Sequence, residues 1–165
     1  MEITSTGINN GRIADRFGSK GTQFTPNGIP SYSIPFHIFK SPIKTISFAV
    51  VFDDDDSIQA CGFTWIHWTI CNLRKPELKE NDSINGKGFI QGVNTWHVGS
   101  GLSIEESTGY GGCDPPDNKH TYRLKVFALD TMLDLKKGFT IEELMQAMND
   151  HVITTAQITG TYEPK

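Results

Sequence analysis

The sequence is short of cysteine: Cys61, Cys71 and Cys113 are its three thiols, an odd number at wide spacing. That pattern excludes a disulfide framework and the paired spacing of a structural zinc site, so all three read as reduced thiols. Long apolar runs are missing too. No segment approaches the roughly 20 consecutive apolar residues of a membrane-crossing helix, and residues 1–20 are polar, without a stretch of signal-peptide length. A cytoplasmic location is the resulting expectation. Positive charge is scarce, with 15 Lys and Arg against 19 Asp and Glu, a formal net charge of −4. No basic cluster is interleaved with aromatic residues, so nucleic acid is not expected as a partner.

What is present describes a globular β-rich chain. A length of 165 residues suffices to bury roughly 70% of the unfolded surface in one unit. No repeat, linker or change of composition divides it, and one domain over 1–165 is expected. Residues 1–30 are rich in Gly, Asn, Ser and Thr without apolar period and read as extended, loop-rich chain. Residues 31–39, 45–52 and 64–73 are rich in Ile, Val, Phe, Trp and Thr between turn residues, and read as strands. In 120–129, His120, Tyr122, Leu124, Val126 and Ala128 alternate with Thr121, Arg123, Lys125 and Phe127, so His120 and Tyr122 share a face. Thr140 and Glu143 fit a capping box before the apolar stripe Ile141, Leu144, Met145 and Met148, which predicts a helix ending near 149–151. The Thr-rich, β-branched tail 152–162 favours a last strand. The fold class is mostly β, in an antiparallel sandwich.

Four consecutive aspartates, 53–56, end an apolar strand. Taken alone, such a run is a solvated turn; with partners it is part of a site. Candidate partners are His67, between Trp65 and Trp68, and His120, each of which is also compatible with a satisfied core position. An Asp paired with an imidazole fixes its tautomer and raises its pKa, and can present a protonated donor to a phosphate or carboxylate. No metal is expected, because no His, Cys or acidic pair falls at helical i, i+4 spacing in a confident helix. The segment 109–116, Gly-Tyr-Gly-Gly-Cys-Asp-Pro-Pro, joins residues that allow close backbone approach to prolines that stiffen a loop, just before His120. Ser100 lies in a Gly-Ser-Gly turn rather than a nucleophile elbow, so catalysis has no anchor and no catalytic residue is assigned.

These segments together resemble the phosphatidylethanolamine-binding proteins, in particular their bacterial and archaeal Raf-kinase-inhibitor-like branch. The resemblance rests on 11–17 (Gly-Arg-Ile-Ala-Asp-Arg-Phe), the Asp run before Trp65-Ile66-His67-Trp68, the 109–116 loop, His120-Thr121-Tyr122, and the closing segments Ala128-Leu129-Asp130 and Gly160-Thr161-Tyr162. It implies a large antiparallel sheet packed on a smaller one with one or two peripheral helices. It also implies a pocket for phosphate, a phosphorylated head group or another small anion. Residue by residue, Asp53 and Asp55 match the acids of the Asp-Pro-Asp motif, His67 the strand histidine, His120 and Tyr122 the His-x-Tyr motif, and Pro115 a wall proline. Gly112 and Asp114 complete the expected ligand-binding set. Asp54 and Ser57 stand where the family usually has prolines, and Asp114 where it has a small or apolar residue, so an added carboxylate faces the ligand. The resemblance implies a binding protein without a cofactor, able to regulate a kinase or protease, with a homodimer permitted by apolar edge residues. The alternatives are a hydrolase using an Asp/His pair on an ester or phosphoester, and a pure protein-interaction module.

Overall fold

Strand-forming residues dominate both halves of the chain. The computed structural model, which describes residues 1–165, forms β1 (Glu2–Thr4), β2 (Ile8–Asn9), β3 (Arg12–Ile13), β4 (Phe36–Phe39), β5 (Ser47–Asp54), β6 (Trp65–Leu73), β7 (Glu77–Leu78), β8 (Ile90–Gln91), β9 (His120–Leu129) and β10 (Val152–Tyr162). Four short helices sit between them: α1 (Ser57–Cys61), α2 (Asp82–Asn85), α3 (Trp96–Ser100) and α4 (Ile141–Met148). The strands build a seven-stranded sheet in the order β2-β3-β10-β9-β5-β6-β8 and a three-stranded sheet, β1-β4-β7. Every pairing is antiparallel except the contact of β10 with β3 at Thr161 and Arg12. The mostly β, two-sheet architecture expected from the sequence is the one observed.

Alternation along the central strands sorts side chains into two apolar layers. Phe48, Val50 and Phe52 of β5, with Tyr122, Leu124 and Val126 of β9, pack toward the small sheet against Ile3, Ile38 and Leu78. Ala49 and Val51 point the other way, toward Leu144 and Met148 of α4. Burying a side chain of this size contributes about 1.5–3 kcal/mol. Helix α4 starts where expected, with the Thr140 side chain accepting the Glu143 N–H and Glu143 accepting the Thr140 N–H.

Two expectations need correction. The strand read at 31–39 shortens to Phe36–Phe39; Pro30 and Pro35 lack the N–H that a ladder requires, although Ser33 and Ile34 are fully buried. The first thirty residues, read as loop, contain β1, β2 and β3, strands of two or three residues. Elements that short carry no readable period.

Candidate functional site

At one end of the large sheet, the end of β5 lies beside the starts of β6 and β9, and a cavity of about 280 Å³ opens between these residues and the adjoining loops. The β5 aspartates reach it by parity. Asp54 pairs across the ladder with Tyr122, whereas Asp53 pairs with Arg123, and cross-strand partners share a face. Asp54 and Tyr122 therefore line the cavity. Asp53 lies on the opposite face, where its carboxylate accepts from Arg123 (2.8 Å) and Lys125 (2.6 Å).

His67 arrives by a different device. Phe52 pairs with Trp68 and Asp53 with Ile66, which leaves His67 as the extra residue of a β-bulge. A bulge re-aims a side chain out of the regular alternation, and here it turns His67 into the cavity. Its Nδ1 lies 2.7 Å from the Gly111 carbonyl and 3.1 Å from that of Gly112. Carbonyls only accept, so Nδ1 carries the proton and Nε2 of the neutral ring is an acceptor. Burial holds the ring below the usual histidine range, against the opposing pull of those carbonyls and of Asp54 and Asp53. Glycine is required at both loop positions: a Cβ on Gly111 would stand 2.5 Å from the Trp96 ring, and one on Gly112 2.5 Å from the Phe17 carbonyl.

His120 stands behind this wall. Its Nδ1 donates to Asp54 Oδ2 at 2.7 Å and its Nε2 to Asp117 Oδ1 at 2.9 Å. Burial alone would lower its pKa, but the hydrogen bonds and charges of Asp54 and Asp117 hold it above the ordinary value. Both N–H groups are thus committed within the protein, and the imidazolium does not face the cavity. Asp54 Oδ1 accepts the Ser57 N–H, while Ser57 Oγ donates to the Asp54 carbonyl and accepts the Trp65 N–H. The acid is locked on both oxygens.

Aromatic rings form the rest of the wall. Trp65 meets Trp96 edge-on at 5.1 Å and 83°, Trp96 meets His67 at 5.5 Å and 73°, and His67 meets Tyr122 at 5.1 Å and 66°. Asp114, Pro116 and Ser100, all exposed, and the half-buried Cys61 complete the lining. No Lys or Arg lines the cavity. Three buried polar atoms of lining residues have no partner among the protein's own atoms: His67 Nε2, Tyr122 Oη and Trp65 Nε1. No group of three or more His, Cys, Asp or Glu is arranged to hold a metal ion.

Of the residues expected from the sequence, the structure brings His67, Asp114 and Tyr122 together around the cavity, with His120 supporting it through Asp54 and Gly112 through its carbonyl. Asp53 and Asp55 do not line it. Asp55 accepts the Thr64 hydroxyl at 2.7 Å and pairs with Arg123, and these contacts hold it below the usual carboxylate range. The correspondence drawn from the sequence is displaced by one residue, and Asp54, read there as standing for a proline, is the acid of the cavity. Pro115 is buried away from it, and Pro116 takes the wall position. Trp65 and Trp96 were not singled out. For Trp65 the strand parity was available as a signal; nothing local to Trp96 marks it.

A family model described as "Phosphatidylethanolamine-binding protein" matches residues 4–163. The chain belongs to the phosphatidylethanolamine-binding protein family. It is similar to YxkA of Bacillus subtilis, at 36% identity over 141 residues that cover 82% of this chain and 84% of that protein. A Chlamydia trachomatis relative is 32% identical, with 99% of both chains covered. Among solved structures, a putative homologue of the family from Chlamydia trachomatis superposes with a TM-score of 0.79 at 32% identity, covering 99% of this chain and 97% of the other. Escherichia coli YbcL, described as a member of the mammalian family, superposes with a TM-score of 0.78 at 27% identity, covering 99% and 98%. Membership of this family supports ligand binding or a regulatory role in general terms. No helix is long and apolar enough to cross a membrane.

Proposed function

We propose that this chain is a small-ligand binding protein, that its site is the cavity between Asp54, His67, Asp114 and Tyr122, and that it acts by binding rather than by turnover. One observation carries the reading: His67 Nε2, Tyr122 Oη and Trp65 Nε1 are buried, lack protein partners and belong to side chains around the same cavity. Leaving a buried donor or acceptor unpaired costs about 1–3 kcal/mol, and a folded chain concentrates such groups where a ligand supplies the partners. Asp54 and His120 fix the wall instead of reacting, since their hydrogen-bonding atoms are engaged with each other, Asp117 and Ser57.

A phosphate or phosphorylated head group, the ligand the family resemblance implies, finds donors in the Tyr122 hydroxyl and the Trp65 indole N–H and an acceptor in His67 Nε2. A proton taken up at His67 Nε2 adds a further donor, so affinity for such a ligand rises as pH falls. Inhibition of a kinase or protease would follow if the exposed lining of the occupied cavity, with Asp114 and Pro116, forms part of the partner's contact. The test is titration of the protein and of His67→Ala with inorganic phosphate and phosphoethanolamine, observing the histidine ring signals. Saturable shifts of the His67 signals in the wild type, absent in the variant, support the reading. Unchanged signals with every small ligand would remove it, and hydrolysis of a phosphoester or ester that depends on His67 would replace it with the hydrolase alternative.

A further inference from the structure

We infer that two copies of this chain join through the free edge of β10, strand antiparallel to strand about a two-fold axis at Ala156. Thr155 of each copy then faces Gln157 of the other, and the two seven-stranded sheets run on as one.

The edge is open by the direction of its backbone groups. β10 is 11 residues long, but on its outer side β3 matches it only at Thr161. There the Thr161 N–H donates to the Gly11 carbonyl at 2.8 Å, away from β9. The register of β10 on β9 is unbroken from Thr154 to Tyr162, and in an antiparallel ladder the outward direction returns at every second residue. The N–H and C=O groups of Thr155, Gln157 and Thr159 therefore also turn away from β9. No other backbone group of the fold meets those of Thr155 and Gln157, and all three side chains are exposed.

The edge is also unguarded. Sheets blunt their edges with very short strands, charged side chains or proline. The other outer strands follow that rule: β1 has 3 residues, and β2, β7 and β8 have 2 each. β10 does not, for residues 154–159 read Thr-Thr-Ala-Gln-Ile-Thr, β-branched in the main, with no charge and no proline. Its one irregularity, the bulge between Val152 and Thr154, lies at the end of this stretch.

Symmetry selects a second copy as the occupant. A two-fold axis sets a strand against itself, so each charge on it would meet its own image across the pair and be repelled. A stretch without charges is compatible with itself. Two such pairs, Thr155 with Gln157 and its symmetry mate, exchange about four backbone hydrogen bonds. The pairing also brings Ile153, exposed at the bulge, beside Thr159 of the other copy. The cavity lies toward the opposite end of the strand, where Tyr162 pairs with His120, so both cavities stay open.

The test is sedimentation equilibrium of the full chain from micromolar to near-millimolar concentration, with amide hydrogen exchange followed at both limits. A dimer is expected at the upper limit. The Thr155 and Gln157 amides should then exchange at least about tenfold more slowly than in the dilute protein, while those of Ala156 and Ile158, bonded to β9 in both states, change little. Gln157 is exposed, so Gln157→Lys should fold normally and weaken the dimer by about fivefold, the scale of like charges across a strand pair. Gln146→Lys, the same change of charge on the exposed side of α4, should leave the dimer as it is. A monomer throughout the range overturns the inference and leaves the edge to an extended segment of another protein. A dimer in which Thr155 and Gln157 exchange as fast as in the monomer, or which resists Gln157→Lys, overturns it too, because the copies then meet through another face.

Discussion

The two faces of the large sheet at the ends of β5 and β9 carry the same kinds of residue and do different things with them. On one face, Asp53 is buried between Arg123 and Lys125, and Asp55 joins Arg123 from the rim, so every charge has an opposite charge within contact. On the other, Asp54 is held by His120 and Ser57 while His67 Nε2, Tyr122 Oη and Trp65 Nε1 remain without protein partners around a cavity. The difference comes from a single step along the chain: consecutive residues of a strand point to opposite faces. A run of aspartates thus supplies a structural ion network and a ligand wall at once.

The comparison breaks most severely if the cations of the paired face are removed. Replacing Arg123 and Lys125 together by methionine keeps their apolar stems but strands the buried Asp53 carboxylate, and stability to urea should fall by about 3 kcal/mol or more, with ligand affinity at the cavity nearly unchanged. On the cavity face, Asp54→Asn keeps an acceptor for the Ser57 N–H but loses the charge that holds His120; a loss of about 1–3 kcal/mol is expected, together with weaker ligand binding. An equal loss of affinity in both variants would dissolve the distinction between the faces.

Two tyrosines sharpen it. Tyr110 Oη donates to the Phe17 carbonyl at 2.8 Å, whereas Tyr122 Oη has no partner. Tyr110→Phe should cost about 1 kcal/mol in chemical unfolding. Tyr122→Phe should cost nothing in the absence of ligand and should lower ligand affinity.

The histidines supply the subtlest contrast, in opposite slopes of stability against pH. The folded pKa of His120 is raised, so its contribution is fully present below the unfolded value of about 6.5 and is lost as pH rises through the folded value. The folded pKa of His67 is lowered, so its contribution is present above about pH 6.5 and is lost as pH falls toward the folded value. Stability curves of His120→Gln and His67→Gln should each lose one limb, the alkaline and the acidic respectively.

Much of the architecture was legible because regular period and packing coincide. The alternation from His120 to Leu129 matches the buried face of β9, and the Thr140–Glu143 box opens α4. The site was legible only in part. His67, His120 and Tyr122 stood out by chemistry, but the acid was assigned one residue off because four identical side chains hide the parity that separates Asp53 from Asp54. That parity could have been read by continuing the alternation of Phe48, Val50 and Phe52 onto Asp54. The bulge that turns His67 inward depends on the pairing of β5 with β6, and Trp96 reaches the cavity through tertiary packing; neither leaves a mark in local sequence.

The most direct test of the central claim is the protonation state and tautomer of His67, read at neutral pH from long-range correlations between its ring protons and ring nitrogens in labelled protein. The account predicts a neutral ring with the proton on Nδ1 and a bare Nε2 whose nitrogen signal moves when ligand is added. A ring protonated at Nε2 in the free protein, or one indifferent to every ligand, would contradict it.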